Sequence, residues 1–305
     1  MHYRITHSTS YEYNENVSLS YNEARLMPRN CANQQVISST LNIEPYADDF
    51  RTRLDFFGNQ VAYFSVQQAH QLFTVTAVSE VLLLGNPTQL DFYHKISWEN
   101  VRDLLSGKHL LSGQELSILN LSDEMIDARQ YTLNSPLIET TPQLAEYALP
   151  SFTAGRSITD TVNDLMQRIY QDFTFDAEFT TLATPLATVL EHRRGVCQDF
   201  AHLAIGCLRS HGLSARYVSG YIETLPPPGK TKAIGADASH AWFSVYVPEQ
   251  GWLDFDPTNN VLPSNQHITL GWGRDYNDVT PLKGVIFGGQ NHELEVSVDV
   301  ACLAD

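Results

Sequence analysis

The chain has few basic side chains, few cysteines and no long apolar run. Nineteen lysines and arginines stand against thirty-five aspartates and glutamates, which gives a formal net charge of −16 at pH 7. Such a charge repels a phosphate backbone at long range unless a local basic patch overrides it. The sequence contains no cluster of lysine and arginine of that kind. Nucleic acids and anionic membranes are therefore not expected as partners.

Signals for secretion or membrane insertion are also lacking. The longest apolar stretches are about four residues, as in Val81 to Leu84, whereas a membrane-spanning helix needs about 20. The amino-terminal segment, MHYRITHSTSYEY, has neither the basic region nor the apolar region of a signal peptide. The four cysteines (Cys31, Cys197, Cys207 and Cys302) are widely scattered, which fits a reducing compartment better than a disulfide framework. We therefore predict a cytoplasmic location.

What is present indicates a folded chain of more than one part. The 305 residues are 43% hydrophobic and 18% charged, enough for one core with a smaller companion or for two domains. Residues 3–84 contain short alternating segments that are typical of β-strands. Gly58-Asn59 predicts a hairpin turn, and the strands around it and after it are expected at Arg51 to Phe57, Gln60 to Val66 and Leu72 to Leu82.

Helical spacing follows this β-rich part. Apolar residues between 97 and 150 recur at intervals of three and four, which predicts short helices, one of them starting at Thr141-Pro142. Ser157 opens a clear amphipathic helix, and Thr184-Pro185 opens another short one. Near the end of the chain, Leu294 to Val300 alternates like a half-buried strand.

Cys197 is the cysteine with a distinctive local sequence. It lies in Arg193-Arg194-Gly-Val-Cys-Gln-Asp-Phe, directly before a helical pattern that ends at His211-Gly212. A cysteine in the first helical turn can be stabilised as a thiolate by free N–H groups and by the helix dipole. Most free cysteines are small buried hydrophobic residues, and this interpretation applies to Cys207, Cys31 and Cys302. For Cys197 taken alone both interpretations stay open.

A histidine and an aspartate on two predicted strands could serve such a cysteine. Ser239 to Val247 alternates as a strand that places His240 on its polar face, and Asp256 ends the next strand before Pro257. If the connection spans five residues, from Val247 to Gly251, His240 and Asp256 are diagonal neighbours about 7–8 Å apart on one face. A four-residue connection would put them on opposite faces. Asp254 shares the face of Asp256 and is the competing partner.

The remaining histidines near the motif are weaker candidates. His202 follows Cys197 by five residues, roughly 140° around a helix, so we do not expect it to face the same cleft. His192 lies at a helix end, where a positive ring is favourable. Paired C-x-x-C or H-x-x-x-H spacing is missing from the sequence. We therefore predict neither a metal site nor a cofactor.

Three segments in this order, GVCQDFAHL, SHAWFSVYV and GWLDFDPTNN, resemble the core of the transglutaminase-like superfamily of cysteine enzymes. His240 follows Cys197 by 43 positions and Asp256 follows His240 by 16, as that family shows. The resemblance implies that Cys197 is the nucleophile, His240 the base and Asp256 its orienting partner. Two flanking segments, YRITHSTSYEY and GRDYNDVTPLKGVIFGG, are similar to those of bacterial transglutaminase-like proteins often described as cysteine proteases.

The resemblance also implies a fold and an organisation. The expected class is α+β, with a papain-like core in which the Cys197 helix packs on an antiparallel sheet. We predict a β-rich N-terminal domain at residues 1–90, a helical connector at 91–150 and the catalytic core at 151–305. Trp242, Arg274 and Tyr276 are candidate substrate contacts, although a plain surface loop is the favoured interpretation of the segment that contains Arg274 and Tyr276. The loop from Thr224 to Ala238 is either a lid over the cleft or a plain spacer.

The expected chemistry is attack by the Cys197 thiolate on a carboxamide or peptide carbonyl, giving a thioester while His240 protonates the leaving amine. The backbone N–H of Cys197 is a candidate oxyanion donor, and the sequence assigns no second one. The expected partner is a peptide or protein amide. Hydrolysis is favoured over amine transfer, although the same residues serve both. A catalytically idle scaffold, or a peptide-binding role of the β-rich domain, stays open.

Overall fold

The structure is a computed structural model of the 305-residue chain. It describes residues 1–85, 96–107, 122–181, 184–224 and 237–303. These residues form a large antiparallel sheet and a second unit in which helices pack on a small antiparallel sheet. The predicted α+β class with a β-rich N-terminal part is therefore confirmed.

The large sheet is built around one long strand, β1 (His2–Ala24). Alternate residues of its first half, from Tyr3 to Thr9, are buried, as the period of a strand with one covered face requires. The order of the neighbouring strands is β2-β5-β1-β4-β3, and their bounds are β2 (Gln34–Glu44), β3 (Asp49–Leu54), β4 (Gln60–Val66) and β5 (His70–Leu83).

The predicted hairpin is present between β3 and β4, with Leu54 paired to Gln60. The loop is longer than two residues because Asp55 organises it. One oxygen of Asp55 accepts hydrogen bonds from the N–H groups of Phe57 and Asn59, both at 2.9 Å. Gly58 has φ of +76°, the left-handed conformation that glycine adopts without strain. As a result β3 ends three residues before the predicted Phe57.

Six α-helices lie in the described residues of the second unit, and their starts agree with the predicted caps. The Thr141 hydroxyl accepts from Leu144 N at 3.3 Å, and the Ser157 hydroxyl accepts from Asp160 N at 3.1 Å. The bounds are α1 (Trp98–Ser106), α2 (Asp123–Ala128), α3 (Pro142–Ala148), α4 (Ile158–Asp172), α5 (Leu186–His192) and α6 (Cys197–Ser210). Two short strands, β6 (Thr174–Phe175) and β7 (Arg194–Gly195), pair in parallel.

The small sheet has the order β10-β9-β8-β11. Its strands are β8 (Ala215–Ile222), β9 (Ser239–Val247), β10 (Gly251–Phe255) and β11 (His267–Gly273). Phe243 and Val245 point from one face of this sheet into a core shared with Leu203 and Leu208 of α6. The opposite face carries His240 and the polar side chains described below.

The last two strands return to the large sheet. β12 (Leu282–Gly288) pairs with the second half of β1, and β13 (His292–Leu303) pairs with the first half. The division into 1–90, 91–150 and 151–305 stays a prediction, but these strands of the third part hydrogen-bond to the first. Of the predicted half-buried strand, Val298 and Val300 are buried, whereas Leu294 and Val296 are about half exposed.

Candidate active site

Cys197 is the first residue of α6, as the sequence predicts, and its side chain is partly buried. The start of this helix is held by Asp199, whose carboxylate accepts from Val196 N at 2.8 Å and from the Thr180 hydroxyl at 2.7 Å. A Cβ on Gly195 would lie 2.7 Å from that carboxylate, so glycine is required there. The Cys197 N–H is one of the first-turn donors that have no acceptor within an α-helix.

The hairpin of β9 and β10 brings His240 and Asp256 together. Val247 pairs with Gly251, which is the five-residue span that the sequence required for a shared face. His240 Nε2 donates a hydrogen bond to Asp256 Oδ2 at 2.8 Å. Asp254 accepts instead from the Ser244 hydroxyl. The geometry therefore places Asp256, and not Asp254, against the histidine.

The Asp256 carboxylate is fully buried and accepts five hydrogen bonds. The Oδ2 atom accepts from His240, from His267 Nε2 at 3.0 Å and from Asn259 Nδ2 at 2.7 Å. The Oδ1 atom accepts from the backbone N–H groups of Thr258 and Asn259. Burial by itself would raise the pKa of Asp256, but these donors outweigh burial and hold the pKa well below its usual range.

His240 is also buried, yet its pKa moves upward. Burial alone would lower the pKa, but hydrogen bonds to Asp256 and Cys197, together with their negative charges, outweigh it and raise the pKa to about 10. Because Nε2 is bonded to Asp256, the Nδ1 atom is the one that remains for the sulfur of Cys197. The imidazole therefore links the helix start to the buried carboxylate.

His267 and Asn259 are polar partners that sequence reasoning did not assign. Asn259 lies inside the GWLDFDPTNN segment, three residues after Asp256, so an Asx-type contact could have suggested it. His267 begins β11, and β8 separates that strand from β9. Gly220 of β8 lies between His240 and Thr269 in the register, and a Cβ there would lie 2.5 Å from the Trp242 ring. Only this pairing brings His267 to Asp256.

His240, Asp256 and His267 could in principle hold a metal ion, since their ligand atoms lie within 4.8 Å of one another. Two imidazoles and a carboxylate are a donor set that zinc accepts. In this structure, however, the Oδ2 atom already accepts from both imidazoles and from Asn259. The absence of a metal stays a prediction.

The structure does not bring all predicted substrate contacts to the cysteine. Trp242 is fully buried beneath the rings of His240 and His267. Arg274 pairs with Asp278 through two hydrogen bonds of 2.9 and 3.0 Å. Tyr276 packs against the buried Tyr217, whose pKa is raised by burial and then by the charge of Cys197.

His202 was not expected to face the same cleft as Cys197. His202 is buried and its Nε2 accepts from Tyr276 N at 3.1 Å; it faces Tyr217. Burial lowers its pKa to about 3, so the ring is neutral.

The proposed lid falls almost entirely on residues 225–236, which lie outside the described residues. At its borders, Asp237 Oδ1 accepts from Thr224 N at 3.0 Å and Asp237 Oδ2 from Val300 N at 2.7 Å.

Comparison with known proteins places this geometry in a family. Residues 3–82 match the bacterial transglutaminase-like N-terminal region, and residues 148–257 match the transglutaminase-like superfamily. A protein of Mycobacterium tuberculosis (strain ATCC 25618 / H37Rv), described as uncharacterized, is 42% identical over 303 residues, which cover 98% of this chain and 92% of that protein. The chain belongs to the transglutaminase-like superfamily. The resemblance seen in the three sequence segments is thereby confirmed.

A solved structure supports the fold of this superfamily member. A candidate cysteine protease from Cytophaga hutchinsonii superposes with a TM-score of 0.73 at 20% identity, covering 100% of this chain and 91% of that chain. The papain-like α+β core with a β-rich N-terminal part is therefore confirmed. The described helices include none long and apolar enough to cross a membrane. The cytoplasmic location stays a prediction.

Shorter matches link the superfamily core to two named enzymes. A protein-glutamine γ-glutamyltransferase of Pseudomonas aeruginosa is 38% identical over 76 residues, which cover 25% of this chain and 11% of that protein. A peptide-N(4)-(N-acetyl-β-glucosaminyl)asparagine amidase of Gallus gallus is 32% identical over 87 residues, which cover 28% of this chain and 11% of that protein. The first name describes a glutamyl transferase and the second an amidase.

Proposed function

We propose that this chain is a cysteine enzyme that hydrolyses amide bonds of peptides or proteins through a thioester on Cys197. The observation that carries the proposal is the arrangement of Cys197, His240 and Asp256, in which the histidine lies between the cysteine and the aspartate. The thiol lies at a helix start, its negative charge and hydrogen bonding help to raise the pKa of the imidazole, and a fully buried carboxylate accepts from Nε2 of that imidazole at 2.8 Å. A nucleophilic cysteine needs such a base and such an orienting group.

The protonation of His240 defines how the reaction begins. Because its pKa is raised to about 10, the imidazole keeps its proton at neutral pH when the sulfur beside it is a thiolate. In the proposed reactive state a Cys197 thiolate lies beside this imidazolium, because the thiolate is the nucleophilic form of cysteine. His240 therefore acts first as a general acid and only later as a general base.

The first half of the reaction acylates the enzyme. The Cys197 sulfur adds to the amide carbonyl. The developing oxyanion accepts a hydrogen bond from the backbone N–H of Cys197 at the start of α6. The C–N bond then breaks while His240 gives its Nδ1 proton to the leaving nitrogen. An amine or ammonia departs, and the acyl group stays on sulfur as a thioester.

The second half releases the acid. The neutral His240 takes a proton from water as the water oxygen adds to the thioester carbonyl. The C–S bond breaks, the acid leaves, and the thiolate–imidazolium pair is restored. Throughout both halves Asp256 keeps Nε2 of His240 protonated and oriented, and His267 and Asn259 hold the Asp256 carboxylate in place.

Amine transfer is the second candidate reaction. The similarity of the core to the Pseudomonas protein-glutamine γ-glutamyltransferase favours it. An amine would then replace water at the thioester, and every residue would keep its role. We place hydrolysis first because water needs no binding site of its own to reach the thioester.

The decisive experiment labels the protein with a cysteine-directed activity probe at neutral pH. We expect the wild type and Cys302→Ser, a change at an exposed thiol on β13, to be labelled equally. Cys197→Ala should lose the label, and His240→Ala should lose at least about 90% of the labelling rate, since general acid–base catalysis contributes about 10²-fold or more. Unchanged labelling of His240→Ala would refute the thiolate–imidazolium pair.

A second assay separates the two reactions. Casein is incubated with the protein and a dansyl amine, and ammonia, new amino groups and protein-bound dansyl are measured. Hydrolysis predicts released ammonia or amino groups without bound dansyl. Bound dansyl that disappears in Cys197→Ala would establish amine transfer instead. Neither product in a protein that labels at Cys197 would overturn the proposed substrate class.

A further inference from the structure

Arg216 is a buried cation without a hydrogen-bond acceptor or an ion-pair partner among the described residues. Its side chain comes from β8 on the same sheet face as His240, and the residue is 8% exposed, with Nε buried and unpartnered. Burial lowers the pKa of Arg216 only to about 10, so the guanidinium is charged at neutral pH. A buried charge is expensive unless it is paired.

Two tryptophans enclose this guanidinium. Its central carbon lies 4.2 Å from the ring centre of Trp252 and 3.8 Å from that of Trp272. Each such contact offsets part of the burial cost. Stacking uses the faces of the guanidinium, however, and leaves its N–H groups, which point outward in the plane, without acceptors.

Arg216 lines a cavity of about 700 Å³ between the two units. Asn33 and Phe57 of the first unit line one side, and Trp252, Asp254 and Thr269 of the small sheet line the other. The volume lies within the range of sites for small molecules. Cys197, His240 and Asp256 do not line this cavity, so it is separate from the proposed reaction centre.

The nearby Asp254 attracts the charge of Arg216 but accepts no hydrogen bond from it. Its carboxylate lines the same cavity but accepts from Ser244, and the two residues form no ion pair. Burial raises the pKa of Asp254, although the charge of Arg216 acts in the opposite direction. The guanidinium therefore keeps its binding capacity for an acceptor that comes from outside the chain.

Among the described residues, the other charged side chains that line the cavity are acidic. Glu124, Asp127 and Glu249 line it. Their negative potential disfavours phosphates and dicarboxylates, whereas a ligand with one carboxylate and one ammonium group meets both signs of charge. A planar carboxylate can accept two parallel N–H bonds from a guanidinium, which an isolated amide oxygen cannot do.

We propose that this cavity binds a small zwitterion, an α-amino acid or a short peptide, with its carboxylate on Arg216 and its ammonium group towards the acidic side chains. Trp252 and Trp272 fix the guanidinium for that contact. The inference does not depend on the proposed reaction, because its test measures binding and not turnover.

The test titrates the full-length wild type with glycine, glycylglycine and 6-aminohexanoate. Trp252 and Trp272 flank Arg216, so intrinsic fluorescence reports occupancy, and calorimetry gives the stoichiometry. We expect one-to-one saturable binding of at least one probe. Glycylglycine amide, which lacks the carboxylate, should bind at least about tenfold more weakly than the free acid, since one bidentate charged contact is lost.

Variants then assign the contact. Arg216→Met should weaken binding of the zwitterion at least about tenfold, with Arg216→Lys in between. Asp127→Asn should weaken the zwitterion but not propionate, which has no ammonium group. Arg4→Met, which removes an exposed arginine paired with Glu80 on the large sheet, should bind as the wild type does.

Three results would overturn the inference. They are no saturation by any probe at concentrations on the order of tens of millimolar, equal affinity for the amide and the free acid, or unchanged affinity in Arg216→Met. If the Arg216 variants fail to fold, the comparison of amide with free acid on the wild type decides alone.

Discussion

One face of the small sheet carries two buried cations, and they differ in where their partners come from. At one end, the imidazole of His240 has its partners within the chain: Asp256 accepts its hydrogen bond, and Cys197 helps to raise its pKa. At the other end, Arg216 is stacked between two tryptophans and has no acceptor among the described side chains and carbonyls. A partner within the chain sets the pKa of His240 for the proposed reaction. Arg216, which has no such partner, keeps its N–H groups available for an acceptor on a ligand.

Burial alone does not distinguish the two cases, as a second arginine shows. Arg209 of α6 is as buried as Arg216, and burial lowers the pKa of each to about 10. Arg209, however, donates to the carbonyl oxygens of Tyr131, Ala215 and Arg274 and to the Ser135 hydroxyl. Arg209 is therefore structural by its contacts, and the two arginines differ in their partners and not in their exposure.

The largest expected effect concerns the partner of His240. Asp256→Asn should lower kcat by about 10³- to 10⁴-fold, because the amide no longer fixes the ring and its charge. The folded-state pKa of His240 is raised to about 10, so the ion pair exists below that pH and is lost above it. The wild-type profile of kcat/KM should therefore fall near pH 10. In Asp256→Asn this alkaline limb should move towards neutrality by at least about one unit.

Asp172→Asn is the matched control for that change. This carboxylate accepts from the Tyr147 hydroxyl at 3.0 Å and does not contact His240. The alkaline limb of the kcat/KM profile of Asp172→Asn should coincide with that of the wild type. An alkaline limb that stays in place in Asp256→Asn would mean that Asp256 does not set the protonation of His240.

A smaller effect is expected at His267, which contacts Asp256 and not the cysteine. His267→Leu should lower kcat by about 10- to 100-fold at unchanged KM, because Asp256 loses one of its donors and the triad loses its alignment. His267→Gln can still donate one N–H to Oδ2 and should recover most of the rate. His7→Leu removes another buried histidine, bonded to Tyr221 and Thr9, and should leave kcat unchanged.

Two outcomes would contradict this role of His267. Equal rates in the leucine and glutamine variants would show that the donor is irrelevant. Stoichiometric zinc in the purified wild type that is lost in His267→Leu would show that His240, Asp256 and His267 form a metal centre.

Local signals in the sequence were sufficient for much of the fold and for the predicted triad. Thr141 and Ser157 lie at helix starts because their hydroxyls satisfy first-turn N–H groups, a rule that needs no tertiary information. A connection with an odd number of residues, the five from Val247 to Gly251, places His240 and Asp256 on the same face. The structure pairs Val247 with Gly251 and so has this connection. These features depend on residues close together in the chain.

What sequence reasoning missed depends on strand order. His267 meets Asp256 only because β11 lies beside β8, and the side-chain-free Gly220 leaves room for the Trp242 ring between them. Trp242 was expected to contact the substrate, but its ring is fully buried. The sequence did not single out Arg216, because its burial without a hydrogen-bond acceptor is a property of the tertiary structure.

The smallest expected effect is on stability, and it tests the contrast between the two arginines directly. Arg209→Met leaves buried carbonyl oxygens without donors and should lower the free energy of unfolding by about 3 kcal/mol. Arg216→Met removes a buried charge that has no hydrogen-bond acceptor, and a flexible side chain still fills the space between the tryptophans, so the loss should be only about 1 kcal/mol, from the lost attraction to Asp254. Urea unfolding of both variants measures this difference. A loss of similar size in Arg216→Met would mean that the guanidinium already has its partners within the fold, and the cavity would then lose its reason to bind a carboxylate.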